Sequence, residues 1–341
     1  MLAEGNMVSD IKKINEKTVD AFADFGGPIK HTARTLLWLP EAQSLRTERN
    51  RPLKYFTLPG RWAWDVFFFE RSGIIRRDGR GFPDVRFCDN NLKSYTDAKR
   101  LLGNTIGKRE NFERLVIENV PEFWDGFPYD IYNLDFCGTC FPNDQPPFSE
   151  TFQAVERIIQ EHVSRNHFPF IIFLTMKAME SQTNAEARRQ LRENIETNRR
   201  DANFTQQINN LIPDTNAFVT NNFVDFIIVS IPKIICHLAE NQCDLEIKAR
   251  AKYARHNDRD GDFYIAKFIL KFTRRHQQRT LGVRNENYIN NVLNIMRLDN
   301  VKLIDNSCIT ASIRRSLTEL QAYLNSLDTA QNGGNDENPP S

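Results

Sequence analysis

Two carboxylates mark where chemistry could sit. Asp89 follows the short run Asp84-Val85-Arg86-Phe87-Cys88, and Asp135 lies near the end of Tyr129-Asp130-Ile131-Tyr132-Asn133-Leu134-Asp135-Phe136. A carboxylate offers two acceptor oxygens, which suits a vicinal diol. Both runs read as strands, and open α/β sheets bind ligands beyond the carboxyl ends of their strands. Each residue also has a plainer role: Asp89 can cap a helix beginning near Leu92, and Asp135 can tie up loop amides. The histidines (His31, His162, His167, His237, His256, His276) are scattered. No H-E-x-x-H, G-x-S-x-G or G-x-x-x-x-G-K-[ST] occurs, which argues against metalloprotease, hydrolase and nucleotide-triphosphatase chemistry. Cys137-Gly138-Thr139-Cys140 supplies two thiolates where a zinc site wants four ligands. Cys236, His237 and Cys243 complete no common spacing, so no metal is expected and the cysteines read as buried thiols.

The elements that must position these residues alternate between strand and helix. Leu53 to Leu58 reads as a buried strand closed by Pro59-Gly60. Trp62 to Ile75 has helical spacing, with Trp62, Trp64, Phe67, Phe68 and Phe69 read as core. Leu92 to Leu102 is a helix stopped by Gly103. Arg114-Leu115-Val116-Ile117 is expected as the third strand, delivering Glu118-Asn119 at its end. Ser149 is the expected N-cap of a helix from Glu150 to Asn166. Phe168 to Met176 is apolar throughout, as in a strand covered on both faces. A charged surface helix is expected from Asn184 to about Arg200, and a long apolar helix interrupted by Pro232 from Asn216 to Asn241. Cys243 to Tyr253 and Phe263 to Phe272 each alternate apolar and charged residues, around a turn at His256-Asn257-Asp258-Arg259-Asp260-Gly261. That pattern predicts an antiparallel hairpin with one wet face. Helices are expected at Asn287 to Met296 and Thr310 to Leu327, with a short strand, Val301 to Ile304, between them. The fold class is therefore α/β: a mostly parallel sheet with helices on both faces, closed by a C-terminal antiparallel hairpin.

The 341 residues carry 45 Lys+Arg and 44 Asp+Glu. This near-neutral total hides opposed segments. Residues 110–161 hold eleven acidic and two basic residues, and residues 248–284 hold eleven basic and three acidic ones. The basic stretch is either a footprint for phosphate backbones or a solvated hairpin face. With 40% hydrophobic residues and 26% charged ones the composition is that of a globular chain. No apolar run is long enough for a membrane span, no secretory leader is read at the start, and six cysteines read as cytoplasmic thiols.

From Leu53 to Arg275 the pattern resembles the Rossmann-like class I S-adenosylmethionine-dependent methyltransferases. The resemblance implies a methyltransferase-like domain at 51–276, and the pattern outside it gives an N-terminal helical or irregular extension at 1–50, a C-terminal helical extension at 277–328 and, for want of apolar residues, a disordered tail at 329–341. It implies S-adenosylmethionine as cofactor, with Pro59 and Gly60 in the first-strand loop, Asp89 and Asn90 at the ribose, and Glu118 or Asn119 at the adenine. Asn133, Asp135 and Phe136 fall at the motif facing the transferred methyl, in a sequence similar to the Asn/Asp-Pro-Pro-Tyr/Phe motif of amino-methylating nucleic-acid enzymes but without its prolines. No G-x-G-x-G is present; one glycine and bulky Trp62 and Trp64 stand in its place. A nucleic-acid substrate would be held by Lys267, Lys271, Arg274, Arg275 and Arg279, through phosphate contacts without sequence readout. The lost glycines keep an alternative open: a catalytically inactive methyltransferase-like subunit or nucleic-acid-binding partner, with further protein partners in a complex.

Overall fold

The computed structural model describes residues 27–136, 138–139, 141, 150–200, 202, 204–254, 264–275, 286–304 and 308. The first 26 residues of the expected N-terminal extension, Ser149, Cys137 and Cys140, the turn at 256–261, His276, Arg279, the helix from Thr310 and the tail lie outside the described residues.

The chain folds as an α/β protein around one mixed sheet of eight strands, in the order β3-β2-β1-β4-β5-β7-β6-β8. β1 (Tyr55–Thr57), β2 (Val85–Cys88), β3 (Ile106–Lys108), β4 (Ile131–Asp135) and β5 (Phe170–Lys177) run parallel. β7 (Tyr264–Thr273) pairs antiparallel with both β5 and β6 (Asp244–Ala254), and the short β8 (Lys302–Leu303) lies parallel outside β6. The order reverses direction between β1 and β4, the switch point at which such sheets open a crevice at their carboxyl ends.

Two apolar layers sandwich the sheet. On one face pack α1 (Gly27–Ala33), a π-helical turn (Arg34–Trp38), α2 (Leu39–Arg49), α3 (Trp64–Arg71) and α4 (Leu92–Leu102), with Trp38, Phe69, Phe87, Phe173 and Ile269 in their core. On the other pack α5 (Phe112–Ile117), α6 (Pro121–Trp124), α7 (Glu150–Ser164), α8 (Ala185–Arg199), α9 (Thr205–Leu211), α10 (Thr215–Asn221), α11 (Phe223–Ala239) and α12 (Glu286–Met296).

Three expectations are corrected here. Residues 114–117 belong to helix α5, because Phe112, Leu115 and Val116 form a buried stripe at helical spacing; the third strand is Ile106–Lys108. Pro232 sits inside an unbroken α11, and the chain bends at Asn222, between α10 and α11. α8 is no wholly exposed helix, since Ala187, Leu191 and Ile195 are buried.

The expected wet face of the antiparallel pair is also overturned. A bulge interrupts the β6–β7 register between Ile247 and Ala249. An extra residue reverses the side to which side chains alternate. Leu245 therefore packs in one layer while Ala251 and Tyr253 pack in the other. Arg250 turns inward, donating to the carbonyls of Asn294, Ile295 and Arg297 at the end of α12. On β7 the expected wet side is covered by the N-terminal helices, which bury Lys267 completely.

Candidate functional site

The site is built on the carboxyl rim of β2, β1 and β4. Thr57 pairs with Phe87 on one side and Asn133 on the other, and Asp89 and Asp135 lie two residues further along their chains. The two carboxylates thus share one rim with a single strand between them, their backbones roughly 10 Å apart at the usual strand spacing.

Their surroundings differ. Asp89 is half-buried; its Oδ1 accepts the Asn91 amide at 2.9 Å, and it has no cationic partner among the described residues. Burial raises its carboxyl above the ordinary value, against the Asn91 amide, which lowers it. The cap of α4 is Asn91, whose side chain accepts from Ser94 N, so Asp89 does not serve as that cap. Asn90 donates to Asn111 Oδ1 at 2.6 Å.

Asp135 is almost enclosed. Lys30 Nζ reaches it at 2.5 Å and Arg34 Nη2 at 4.0 Å, both from the N-terminal helices. Burial alone would raise its carboxyl, but Lys30, Lys267 and Arg34 outweigh that and hold it below the ordinary carboxylate value. Asp135 aligns with Thr175 on β5, and Thr175 with Lys267 on β7. Lys267 Nζ lies 4.0 Å from the centre of the Trp38 ring, and neither it nor Thr175 Oγ1 has a hydrogen-bond partner among the described residues. Burial pushes the Lys267 amine well below its ordinary value.

One step into the sheet, Asp65 ties the switch point together. Its Oδ2 accepts from Tyr55 and Thr57 at 2.5 Å each and from Asn133 Nδ2 at 2.9 Å. Asn133 is 1% exposed and gives its amide protons to Asp65 and Thr57. It knits β4 to β1. Phe136 turns to the opposite layer and meets Phe112 edge-on. The three residues expected around the methyl group therefore do not converge: Asn133 and Asp135 are committed internally, and Phe136 lies across the sheet.

The first-strand loop holds Pro59 buried and Gly60 at φ 60°, followed by Ala63 at φ 48°. A non-glycine in the left-handed region costs of order 1 kcal/mol and is concentrated at functional turns. Arg61 lies against the Trp62 ring and donates to Asp97 at 2.5 Å, fastening this loop to α4. Glu118 and Asn119, expected at the adenine, do not follow a strand. They close helix α5, where Glu118 pairs with Arg114 and Asn119 accepts from Arg157. The residues that do follow the third strand are Arg109 and Glu110.

The basic residues expected to grip nucleic acid are mostly spent. Lys267 is buried, Lys271 donates to Glu48 at 3.2 Å, and Arg275 bonds the Glu240 carbonyl beside Asp244. Arg274 is exposed, and Arg279 lies outside the described residues. Among the described residues no His/Cys/Asp/Glu group could hold a metal.

Asp65, Lys30, Arg34 and Trp38 escape a reading of the sequence as site residues. Asp65 carries a usable signal, a lone acid in the aromatic run Trp62 to Phe69. Lys30, Arg34 and Trp38 carry none, because only the tertiary fold brings them to β4 and β7.

A family model described as PP_RS20740-like matches residues 120–262, less than half the chain, from just before α6 to just before β7. No curated protein matches the chain.

Proposed function

We propose that the protein binds S-adenosylmethionine at the carboxyl rim of β1 and β2 and acts as a methyltransferase on a Rossmann-like scaffold. The carrying observation is Asp89: a half-buried carboxylate at the second strand's end, with one amide donor and no cation paired with it among the described residues. Such a group accepts both hydroxyls of a ribose. The left-handed turn at Gly60 keeps the adjoining loop short, with nothing within 4 Å of the position a Cβ would take. The cofactor supplies an electrophilic methyl when bound. Asp89 orients the ribose, and the Arg61–Asp97 contact holds the loop beside it. Positioning is the main contribution asked of the protein in such a displacement. Of the five basic residues expected at a nucleic acid only Arg274 is exposed among the described ones, so the proposal carries the cofactor and leaves the methyl acceptor open.

Calorimetric titration with S-adenosylmethionine tests it. Saturable binding is expected, weakened at least tenfold in Asp89→Ala, since hydrogen bonds to charged groups contribute about 1.5–3 kcal/mol. No heat with the wild type, or equal affinity in the variant, overturns the proposal.

One observation favours a second reading, a non-catalytic subunit on the same scaffold. Asn133 and Asp135 are both held by internal partners. That reading expects cofactor binding, or none, without methyl transfer to any nucleic-acid or protein acceptor, and a labelled-methyl assay separates the two.

A further inference from the structure

The opposite rim carries a feature that neither reading uses. Where β1, β2, β4 and β5 begin, a cleft of about 370 Å³ is lined by Arg51, Pro52, Lys54, Arg76, Asp84, Pro128 and His167. Its volume lies at the small end of ligand sites. Behind it, Asp130 is fully buried and accepts Arg51 at 2.8 and 2.9 Å, Lys54 N at 2.8 Å and His167 Nε2 at 3.1 Å, with Arg49 Nε 3.2 Å away. Asp84 meets Arg76 at 3.3 Å. Arg49, Arg51, Lys54 and Arg76 thus stand around Asp84 and Asp130, four cationic side chains to two carboxylates. Lys54 Nζ makes a single long contact, 3.3 Å to the Gly126 carbonyl, and pairs with no carboxylate among the described residues.

Helix C-termini attract cations, and Arg49 in the last turn of α2 is accounted for that way. Arg51, Lys54 and Arg76 stand beyond the helix ends and are not. Arg51 is held in place by its two-pronged grip on Asp130 and by Nη1 on the Pro52 carbonyl at 2.8 Å, so its orientation is fixed before any ligand arrives. Arg76, with 59% of its side chain exposed, and Lys54 can swing onto an anion from the other side.

We propose that this cleft binds a small phosphate monoester, with Arg51, Lys54 and Arg76 around the phosphate. A pocket of this volume takes one phosphate and a group about the size of a sugar, whereas a nucleic-acid backbone needs an extended track of charge.

The test is calorimetry of the full chain with inorganic phosphate and with ribose 5-phosphate as probes. Saturable binding is expected for both, about tenfold weaker in Lys54→Gln and in Arg76→Gln, and unchanged in Asp89→Ala, which separates this cleft from the opposite rim. Thermal unfolding of the two cleft variants at the wild-type midpoint confirms that they are folded. Absence of saturable heat, or wild-type affinity in both variants, overturns the proposal. Displacement of ribose 5-phosphate by a single-stranded oligonucleotide overturns the small-molecule assignment; no displacement supports it.

Discussion

At the scale of single residues, the chain places its carboxylates where cations from distant segments meet them. Asp130 is the clearest case. Burial would raise its carboxyl, but the His167 and Arg51 hydrogen bonds and the Lys54 amide hold it down at about 2, against an ordinary value of 3.8. Between these values the unfolded chain binds a proton and the folded chain does not, so acidification favours unfolding. Asp130 therefore stabilises the fold fully above about pH 4, and that contribution is lost as the pH falls towards 2. At about 1.4 kcal/mol per unit the loss is on the order of 2 kcal/mol. Urea unfolding across this range is expected to show that step in the wild type and not in Asp130→Asn, whose midpoint is already lower at pH 7. Equal slopes in the two proteins would refute the assignment. The acid itself was readable in the run from Tyr129 to Phe136. Its partners at 49, 51 and 167 were not, and neither were those of Asp135 at 30, 34 and 267. Spacing along a chain says nothing about which distant side chains a sheet brings together.

At the scale of elements, the parallel strands were legible wherever an apolar run exceeded what a turn could hold. β1, β2, β4 and β5, and helices α4 and α7, fall on the segments that periodicity gives them. The third strand did not, for two reasons. Leu115-Val116-Ile117 is β-branched enough to read as a strand, yet its neighbours complete a helical stripe. The real β3 has three residues, one of them glycine, and exists because β2 pairs with it. Gly107 has a specific task there: a Cβ at its position would lie 2.2 Å from Cζ of the buried Phe87 ring. Gly107→Ala is expected to cost about 1–3 kcal/mol by overpacking, read as a lower urea midpoint. Phe87→Leu, which shortens the ring side chain, is expected to restore part of the loss when combined with it. Strictly additive losses in the double variant would show that the clash lies elsewhere. The β6 bulge was equally hidden, because Cys243 to Tyr253 alternates without a break and one extra paired residue leaves no mark in composition.

At the scale of the whole molecule, residues 27–49 work as a clasp across the sheet. Lys30 holds Asp135 on β4, Trp38 stacks on Phe173 of β5 at 4.9 Å, Lys267 of β7 lies over the Trp38 ring, and Glu48 reaches Lys271. The clasp is what turns an alternating, apparently wet strand into a buried one. It also explains how an amine can be enclosed at all: the Trp38 ring offers Lys267 a face in place of water. Truncating Trp38 to Ala should cost about 3–5 kcal/mol from lost packing alone, which by itself would not separate the ring's electrostatic role from its bulk. A double-mutant cycle does. Trp38→Leu keeps most of the apolar volume and removes the π face, while Lys267→Met keeps the length and removes the charge. If the ring supports the amine, the two losses measured by urea unfolding fall short of additivity by about 1 kcal/mol or more. A coupling within about 0.3–0.5 kcal/mol of zero, the scatter expected of independent sites, would mean that Lys267 is tolerated through the electrostatic influence of Asp135, and that the helices cover β7 only by packing.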